Sequence, residues 1–576
     1  MKTLLIHPLD TADVGPWTRE RWDLIVDLGK SALSTHDQWR KYFKCDLQSL
    51  DSFRNGFSDF YQVRELLGRG CGRLVDEFGL DWWEILSILL HEEMEALILL
   101  QRLARTFGTS DEVHVSRPSL HADILRCLLH GNAKIFRPRF GIQKGLRHYL
   151  RAASKLSTSQ IVDVLGDKYD PEYRFCGRLA RKRAASLRPV ILVPTAYINA
   201  SRTGIDYART FSDQNFLLVT TRRSGRVNAP PRNVITAELS SYVSLKGRSG
   251  ENSDLQHRLR DLLTELCRTP EFDILHRMGH LDTLANRLQH GVKVRDAWRN
   301  VLDNEPVQGV LCADDSNPYT RIPLLLARER GLPSIACQHG ALDARYLFKR
   351  SYGSVIWVKG EMEQDFLVRK CMVPREKVEI CAPALTSPSN MPDAANGDRP
   401  KPYIVFFSEP YEVSGGRGEG FYRDVLPALV DVALATGRKL VVKLHPAESE
   451  RDRARMLRRI ISKSRLKTVQ LLSGPLTEDL LTKTWFAVTV QSTVSLECSI
   501  RRIPCFLCKW LEPRGYEYVE QFIRFGAGFG LNSPDDIAKI PQQIQKEVVT
   551  SVLNTRLWHT ADKGRLKELL AGKAVA

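Results

Sequence analysis

The 576-residue chain contains no apolar run of about 18 residues, the least that could cross a bilayer as a helix. The nearest approach, WWEILSILLHEEMEALILLQRLA from Trp82, is broken by His91 and by glutamates. The N-terminus, MKTLLIHPLD, lacks the long apolar core of a secretory leader. Metal-ligand sets are also wanting. HEEME at His91 has no second histidine to complete HExxH, and Cys505-Phe-Leu-Cys508 is a single CxxC without the partner pair that zinc requires. Neither a recognition helix nor an aromatic platform for nucleic acid is evident. Internal repeats and low-complexity tracts are absent. Twelve scattered cysteines without a leader lead us to expect reduced thiols in a cytoplasm.

What is present is an ordinary globular composition, 43% hydrophobic and 26% charged, in a chain long enough for two or three domains. The unusual number is a net charge of +17, which calls for an anionic partner. From Lys134 to Lys155 there are seven Lys/Arg and no acid, with Ile142, Leu146, Tyr149, Leu150 and Ala153 at helical spacing. That pattern suits a basic amphipathic helix on anionic headgroups, or a docked helix with a solvated basic face. A second basic run, RDRARMLRRIISKSRLK from Arg451, admits the same two readings.

From about Pro189 onward, short bare apolar runs alternate with helical patterns: PVILVPT, NFLLVTT, VQGVLCADD, PSIACQHG, SVIWVKG and KVEICAPA. Such runs are expected of parallel strands buried on both faces. PLLLARERG between two of them ends in Gly331, as a helix C-cap would. A stretch with five prolines in twenty residues, Pro383 to Pro402, then reads as a linker. The pattern resumes with YIVFFSEP, KLVVKLHP, TVQLLSG, WFAVTVQS and IPCFLC. Two β/α series joined by a linker imply an α/β protein with two Rossmann-type doubly wound domains facing across a cleft. The expected division is 1–180, an N-terminal α/β and helical region; 181–385, a first Rossmann-like domain; 386–402, the linker; and 403–576, a second Rossmann-like domain. In the first region KTLLIH, WDLIVDLG, DEVHVSRP and NAKIFRP read as strands, and the stretch from Val63 to Phe107 as helical.

In an open parallel sheet the chemistry sits just past the strands' carboxyl ends. After YIVFF come Ser408 and Glu409, then a glycine-rich loop with Arg417, whose amides and guanidinium could meet a phosphate. After KLVVKL, with Lys443, come His445 and Pro446: the proline ends the strand and aims the imidazole, which can donate to a phosphate oxygen. After WFAVTV come Gln491, Ser492, Thr493, Ser495 and Glu497, hydroxyls that cap a helix and can also bind an anion. In the first series VQGVLCADDSNPY places Asp314, Asp315 and Asn317 past a buried strand. A carboxylate there could take a proton from an acceptor hydroxyl, or could open the next helix as an Asx turn. Gln338-His339-Gly340 and Lys359-Gly360-Glu361 end the next two strands, making His339 a candidate catalytic residue in contact with phosphate or acceptor, and Lys359 a candidate phosphate ligand. PTAYINASRTG offers Tyr197, Asn199, Ser201 and Arg202 to an acceptor.

KLHP and QSTVSLE resemble the HP and hydroxyl-rich SS/ST motifs of GT-B glycosyltransferases of bacterial surface-polysaccharide synthesis. The similar families are capsule-type Kdo transferases, polysialyltransferases and CDP-glycerol glycerophosphotransferases. The resemblance implies a GT-B fold and a donor phosphate held by His445, Ser492 and Thr493, with Ser495 beside them. It also implies an acidic motif in the acceptor domain, here Asp314-Asp315, where Ser316 replaces the usual glycine. The expected function is a metal-independent, cofactor-free glycosyltransferase for capsule, lipopolysaccharide or another envelope glycan. It would move a sugar, CMP-linked and acidic by preference, from a nucleotide to a surface-polysaccharide or lipid-linked acceptor. It would be cytoplasmic, with a peripheral hold on the anionic inner face of the membrane and no nucleic-acid partner. The alternatives are a sugar-nucleotide epimerase of the same fold and a non-enzymatic binder of anionic polymer.

Overall fold

The computed structural model describes residues 1–8, 10, 12, 16–29, 33–130, 133–135, 188–243, 249–340, 344–384, 401–411, 416–490, 492–512, 517–545 and 556–572. The basic span expected to bind headgroups, from residue 136 on, and most of the proline-rich linker lie outside the described residues. Two compact units make up the chain, and they interleave along it rather than following the blocks 1–180, 181–385 and 403–576. One holds Met1–Asp59, Ala96–Lys168 and Met391–Asn554, the other Phe60–Glu95, Tyr169–Asn390 and Thr555–Ala576.

The first unit carries two parallel sheets. Its N-terminal sheet is built from β1 (Lys2–Ile6), β2 (Leu24–Asp27), β3 (Asp46–Ser49), β4 (Glu112–Val115) and β5 (Ala133–Ile135) in the order β3-β2-β1-β4-β5. Every neighbouring pair is parallel. This is the doubly wound order, so the first 135 residues contain a Rossmann-like sheet of their own.

The second unit is organised round seven parallel strands: β6 (Val190–Thr195), β7 (Phe216–Thr220), β8 (Val234–Glu238), β9 (Val307–Cys312), β10 (Ser334–Cys337), β11 (Val355–Val358) and β12 (Val378–Ile380), in the order β12-β11-β10-β9-β6-β7-β8. The helix Ile198–Thr210 crosses close over β6 because residue 204 is glycine; a Cβ there would stand 2.5 Å from Val193 Cγ1. Gly331, expected as a C-cap, has φ +70° just past the helix Pro318–Glu329. The segment 60–95 belongs to this unit through buried ion pairs. Arg321 meets Glu84, whose Oε1 also accepts from the amides of Arg350 and Ser351 at 2.9 and 2.8 Å. Arg295 meets Asp76 at 2.9 Å. The chain's last turns return to the same core, where Leu566 and Leu569 pack and Arg565 pairs with Glu379 at 2.5 Å.

The C-terminal sheet of the first unit holds β13 (Tyr403–Phe407), β14 (Lys439–Lys443), β15 (Val469–Leu472), β16 (Thr484–Thr489), β17 (Cys505–Cys508) and β18 (Phe529–Leu531), ordered β15-β14-β13-β16-β17-β18. Ile404 and Phe406 of β13 are fully buried, each worth about 1.5–3 kcal/mol of transfer free energy. The α/β class and the Rossmann-type sheets expected of a GT-B-like chain are therefore present. Among the described residues no helix is long and apolar enough to cross a membrane, and no cluster of His, Cys, Asp or Glu is arranged to hold a metal.

Candidate functional site

Strand order reverses between β13 and β16 in the C-terminal sheet and between β6 and β9 in the second unit's sheet. Each reversal opens a crevice outside the carboxyl ends of its strands. Residues singled out in the sequence follow the strands at both reversals.

In the C-terminal sheet β14, β13 and β16 are neighbours, so the loops after YIVFF, KLVVKL and WFAVTV share one edge. Side chains tie them together. Ser408 Oγ donates to Glu448 Oε1 at 2.7 Å and also meets the Tyr422 hydroxyl, which donates to the same oxygen at 3.1 Å. Arg453 Nε binds that oxygen at 2.7 Å, and the ion pair is buried. On the other side Thr489 Oγ1 donates to Glu409 Oε1 at 3.3 Å. Glu448, which the sequence did not single out, is the hub, and its Oε2 accepts the His445 backbone amide at 2.8 Å.

His445 itself is half-buried, with Pro446 exposed beyond it. Its Nδ1 accepts the Ala447 amide at 3.2 Å, so the ring proton resides on Nε2. Burial pushes the imidazole below its ordinary pKa, and the Lys443 charge adds to this, against an opposing pull from Glu448. The side chain is thus a neutral Nε2–H donor at neutral pH. Ser492 Oγ accepts the Val494 amide at 3.3 Å, and Thr493, the residue before the helix Val494–Ile500, makes no capping bond. Ser495 is buried and turned inward onto the Ser492 carbonyl at 2.9 Å, and Glu497 lies 3.8 Å from Arg501.

Two basic residues expected at the phosphate are engaged elsewhere. Arg417 is buried against the N-terminal sheet, donating to both oxygens of Asp27 and to the carbonyls of His7, Pro8 and Asp10. A guanidinium so satisfied has no fork left for a nucleotide, which corrects that expectation. Lys443 Nζ, also buried, donates to the Leu444 and Gly474 carbonyls at 3.2 and 2.6 Å.

In the second unit the reversal brings Tyr197, after β6, against Asp314, after β9, and His339, after β10. The Tyr197 and His339 rings meet edge to face with centroids 5.0 Å apart, and the hydroxyl lies 2.9 Å from Nε2. His339 Nδ1 is 3.0 Å from the Ala313 carbonyl, which can only accept, so the ring proton sits on Nδ1; the unprotonated Nε2 and the Asp314 carboxylate then both face the single Tyr197 hydroxyl proton. Burial holds the imidazole below its ordinary pKa against the attraction of Asp314. The tyrosine pKa is driven up by burial and then by Asp314.

The paired aspartates part company here. Asp315 Oδ1 accepts from Lys349 Nζ at 2.7 Å and from the Tyr346 hydroxyl at 2.8 Å, with both charged side chains buried. It is a structural counter-ion, which corrects its candidacy as a base. Asp314 stays with the tyrosine–histidine pair. Asn317, a candidate acceptor or phosphate contact in the sequence, is the N-cap of the helix Pro318–Glu329, its side chain accepting the Tyr319 amide at 3.0 Å. Lys359 is also taken up, by the Gln338 carbonyl at 3.1 Å and Glu363 at 2.9 Å. Ser201 is buried, bonded to Thr195 Oγ1 and the Gly225 carbonyl at 2.7 and 2.6 Å. Asn199 is half-buried and Arg202 exposed on the helix that follows β6.

No protein-family model matches the chain, and no curated protein matches it in sequence. Solved structures resemble it loosely. UDP-GlcNAc 2-epimerase from Neisseria meningitidis, bound to UDP-GlcNAc, is 12% identical with a TM-score of 0.41, covering 67% of this chain and 100% of that one. The Methanocaldococcus jannaschii UDP-GlcNAc 2-epimerase is 11% identical with a TM-score of 0.40, covering 67% and 100%. A glycosyltransferase from Rickettsia africae is 10% identical with a TM-score of 0.35, covering 68% and 94%. Likenesses this loose carry no argument about activity, and the Rossmann-type architecture stands on the strand orders themselves.

Proposed function

We propose that the chain is a sugar-nucleotide enzyme whose C-terminal sheet binds the nucleotide phosphate, and that it acts as a glycosyltransferase. The observation that carries the reading is the junction at β13, β14 and β16. There Glu448 fixes the loop that bears His445, and the Ala447 amide fixes the tautomer that makes Nε2 a donor. With Arg417, Lys443 and Arg453 engaged in buried contacts, a phosphate at this edge would be met by neutral donors: the imidazole, the Ser492 and Thr493 hydroxyls and helix-end amides. Asp314, poised on the Tyr197–His339 pair, is the residue we assign to taking the acceptor's proton. No cofactor or metal enters this scheme. The preferred donor is a CMP-linked acidic sugar, and the acceptor an envelope glycan or lipid-linked glycan at the inner face of the membrane.

Thermal-shift titration with CMP, CDP, UDP and TDP tests the donor, since a ligand that binds only the folded state raises the melting temperature by mass action. Stabilisation by none of the four would end the nucleotide reading. Epimerisation of a nucleotide sugar without any acceptor would replace the transferase with an epimerase. The membrane part stands or falls separately. Binding to phosphatidylserine vesicles should weaken with salt and when Arg137, Arg139, Lys144 and Arg147 are all changed to Glu; unchanged binding in that variant would remove it.

A further inference from the structure

The N-terminal sheet has no part in the scheme above, yet its carboxyl edge is filled by a side chain from the C-terminal sheet's first loop. Arg417 Nε and Nη2 form a two-pronged contact with Asp27, at the end of β2, at 3.0 and 2.9 Å. Nη1 donates to the Pro8 and Asp10 carbonyls at 3.1 and 2.5 Å, and Nη2 also to the His7 carbonyl at 3.0 Å. The ring of Trp39 lies 6.0 Å from the guanidinium.

Arg417 is the residue from which the helix Gly418–Ala435 starts, and a second tie grips the first two turns of that helix. Asp424, on that helix, accepts the Leu33 and Ser34 amides at 2.8 and 2.9 Å, and so satisfies the open N-terminus of the helix Leu33–Tyr42. In return Ser34 Oγ donates to the Gly420 carbonyl at 2.9 Å. Between these anchors lies Tyr422, whose hydroxyl belongs to the Ser408–Glu448 junction that fixes the His445 loop. The linkage therefore runs unbroken from Asp27 through Arg417 and the first turn of the helix to Tyr422, Glu448 and the His445 amide.

We propose that Asp27 and Arg417 are positioning residues, through which the N-terminal sheet clamps the start of the helix Gly418–Ala435 and so aligns the nucleotide-phosphate site. An N-terminal helix turn helps hold a phosphate only if its free amides are fixed in place, because the favourable field falls off within that turn. A charged, fully satisfied, buried fork supplies that rigidity. The proposal rests on the nucleotide reading for its function, though not for its mechanics.

The test compares Asp27→Asn with Ile25→Val, a core change on the same strand that leaves the clamp intact. Ser34→Ala, which loses the hydroxyl's bond to the Gly420 carbonyl and keeps the Asp424 bonds from the Leu33 and Ser34 amides, serves as a milder probe. In the nucleotide-free protein, hydrogen exchange by mass spectrometry should quicken by about tenfold or more in 418–425 and 443–448 for Asp27→Asn, and not for Ile25→Val. Affinity for CMP or UDP, whichever the wild type binds, should fall by about tenfold in Asp27→Asn and less in Ser34→Ala, at a temperature where each variant is folded. Unchanged exchange in both segments overturns the clamp, as does equal loosening by Ile25→Val. Faster exchange with undiminished affinity shows that the clamp does not serve the site. If the wild type binds neither nucleotide, the functional reading fails while the exchange comparison still decides the mechanics.

Discussion

The separation of Asp315 from Asp314 has a direct energetic consequence. Lys349 Nζ and Asp315 Oδ1 stand 2.7 Å apart with side chains 0% and 2% exposed, and the Tyr346 hydroxyl donates to the same oxygen. At an effective dielectric of about 20 their Coulomb attraction is about 6 kcal/mol, an upper bound that desolvation reduces. Asp315→Asn keeps the shape and removes the charge, leaving an ammonium buried without its counter-ion; breaking such a pair costs about 3–5 kcal/mol. The Tyr346 ring, 3.6 Å from Nζ, retains part of the stabilisation, which puts the expected loss near the lower figure, about 3 kcal/mol. In a unit of about 280 residues that lowers the melting midpoint by roughly 5 °C, measurable by circular dichroism. Adding Lys349→Met to Asp315→Asn removes the stranded charge, and the double variant should recover most of the loss. Wild-type stability in Asp315→Asn, or a double variant weaker than the single one, would refute the counter-ion assignment.

Asp314→Asn should behave oppositely, with a melting midpoint within a few degrees of wild type, unchanged nucleotide affinity and turnover lower by about 100-fold or more. Full turnover in that variant would take Asp314 out of the mechanism. Acid should destabilise the N-terminal sheet. Burial, and for His7 also the Arg117 charge, holds His7 and His121 down to about 4 from 6.5. The unfolded chain then binds more protons than the folded one between those values. Stability is accordingly full above about pH 6.5 and falls as pH drops toward 4, by at most about 3 kcal/mol for each histidine. Urea melts across that window should show the decline, and His7→Asn with His121→Asn should flatten it.

The central strands of all three sheets were legible in the sequence because they are buried on both faces and so become bare apolar runs. β3, β8 and β18 were not, and all three are edge strands. DLQS of β3 alternates exposed with half-buried residues, and VITAE of β8 buries only its valine. KTLLIH, WDLIVDLG, DEVHVSRP and NAKIFRP were recognised as strands, but without β3 their Rossmann-like order was hidden. For the candidate site, the rule that ligands lie past strand ends singled out Asp314, His339, Ser408, His445 and Ser492. It could not find what holds them. Tyr422, Glu448 and Arg453 belong to helices and turns whose register round Ser408 is set by packing, and Asp27 meets Arg417 across 390 residues. For the same reason basic side chains near strand ends looked available when the fold had already paired them. Lys359 with Glu363 is such a case, only four residues apart, and there the helical spacing was the signal that could have been used.

The central claim is that the His445 imidazole binds the nucleotide phosphate at the junction of β13, β14 and β16. Calorimetric titration of CMP, or of whichever nucleotide stabilises the wild type, into His445→Ala and Pro446→Ala tests it alongside apo melting curves. Half-buried at a strand end, His445 should be dispensable for the fold, so His445→Ala should melt within a few degrees of wild type. Nucleotide affinity should fall by roughly 1.5–3 kcal/mol, the scale of a hydrogen bond to a charged group, with Pro446→Ala milder. A lowered apo melting temperature with undiminished affinity, or a proline variant weaker in binding than the histidine one, would contradict the account.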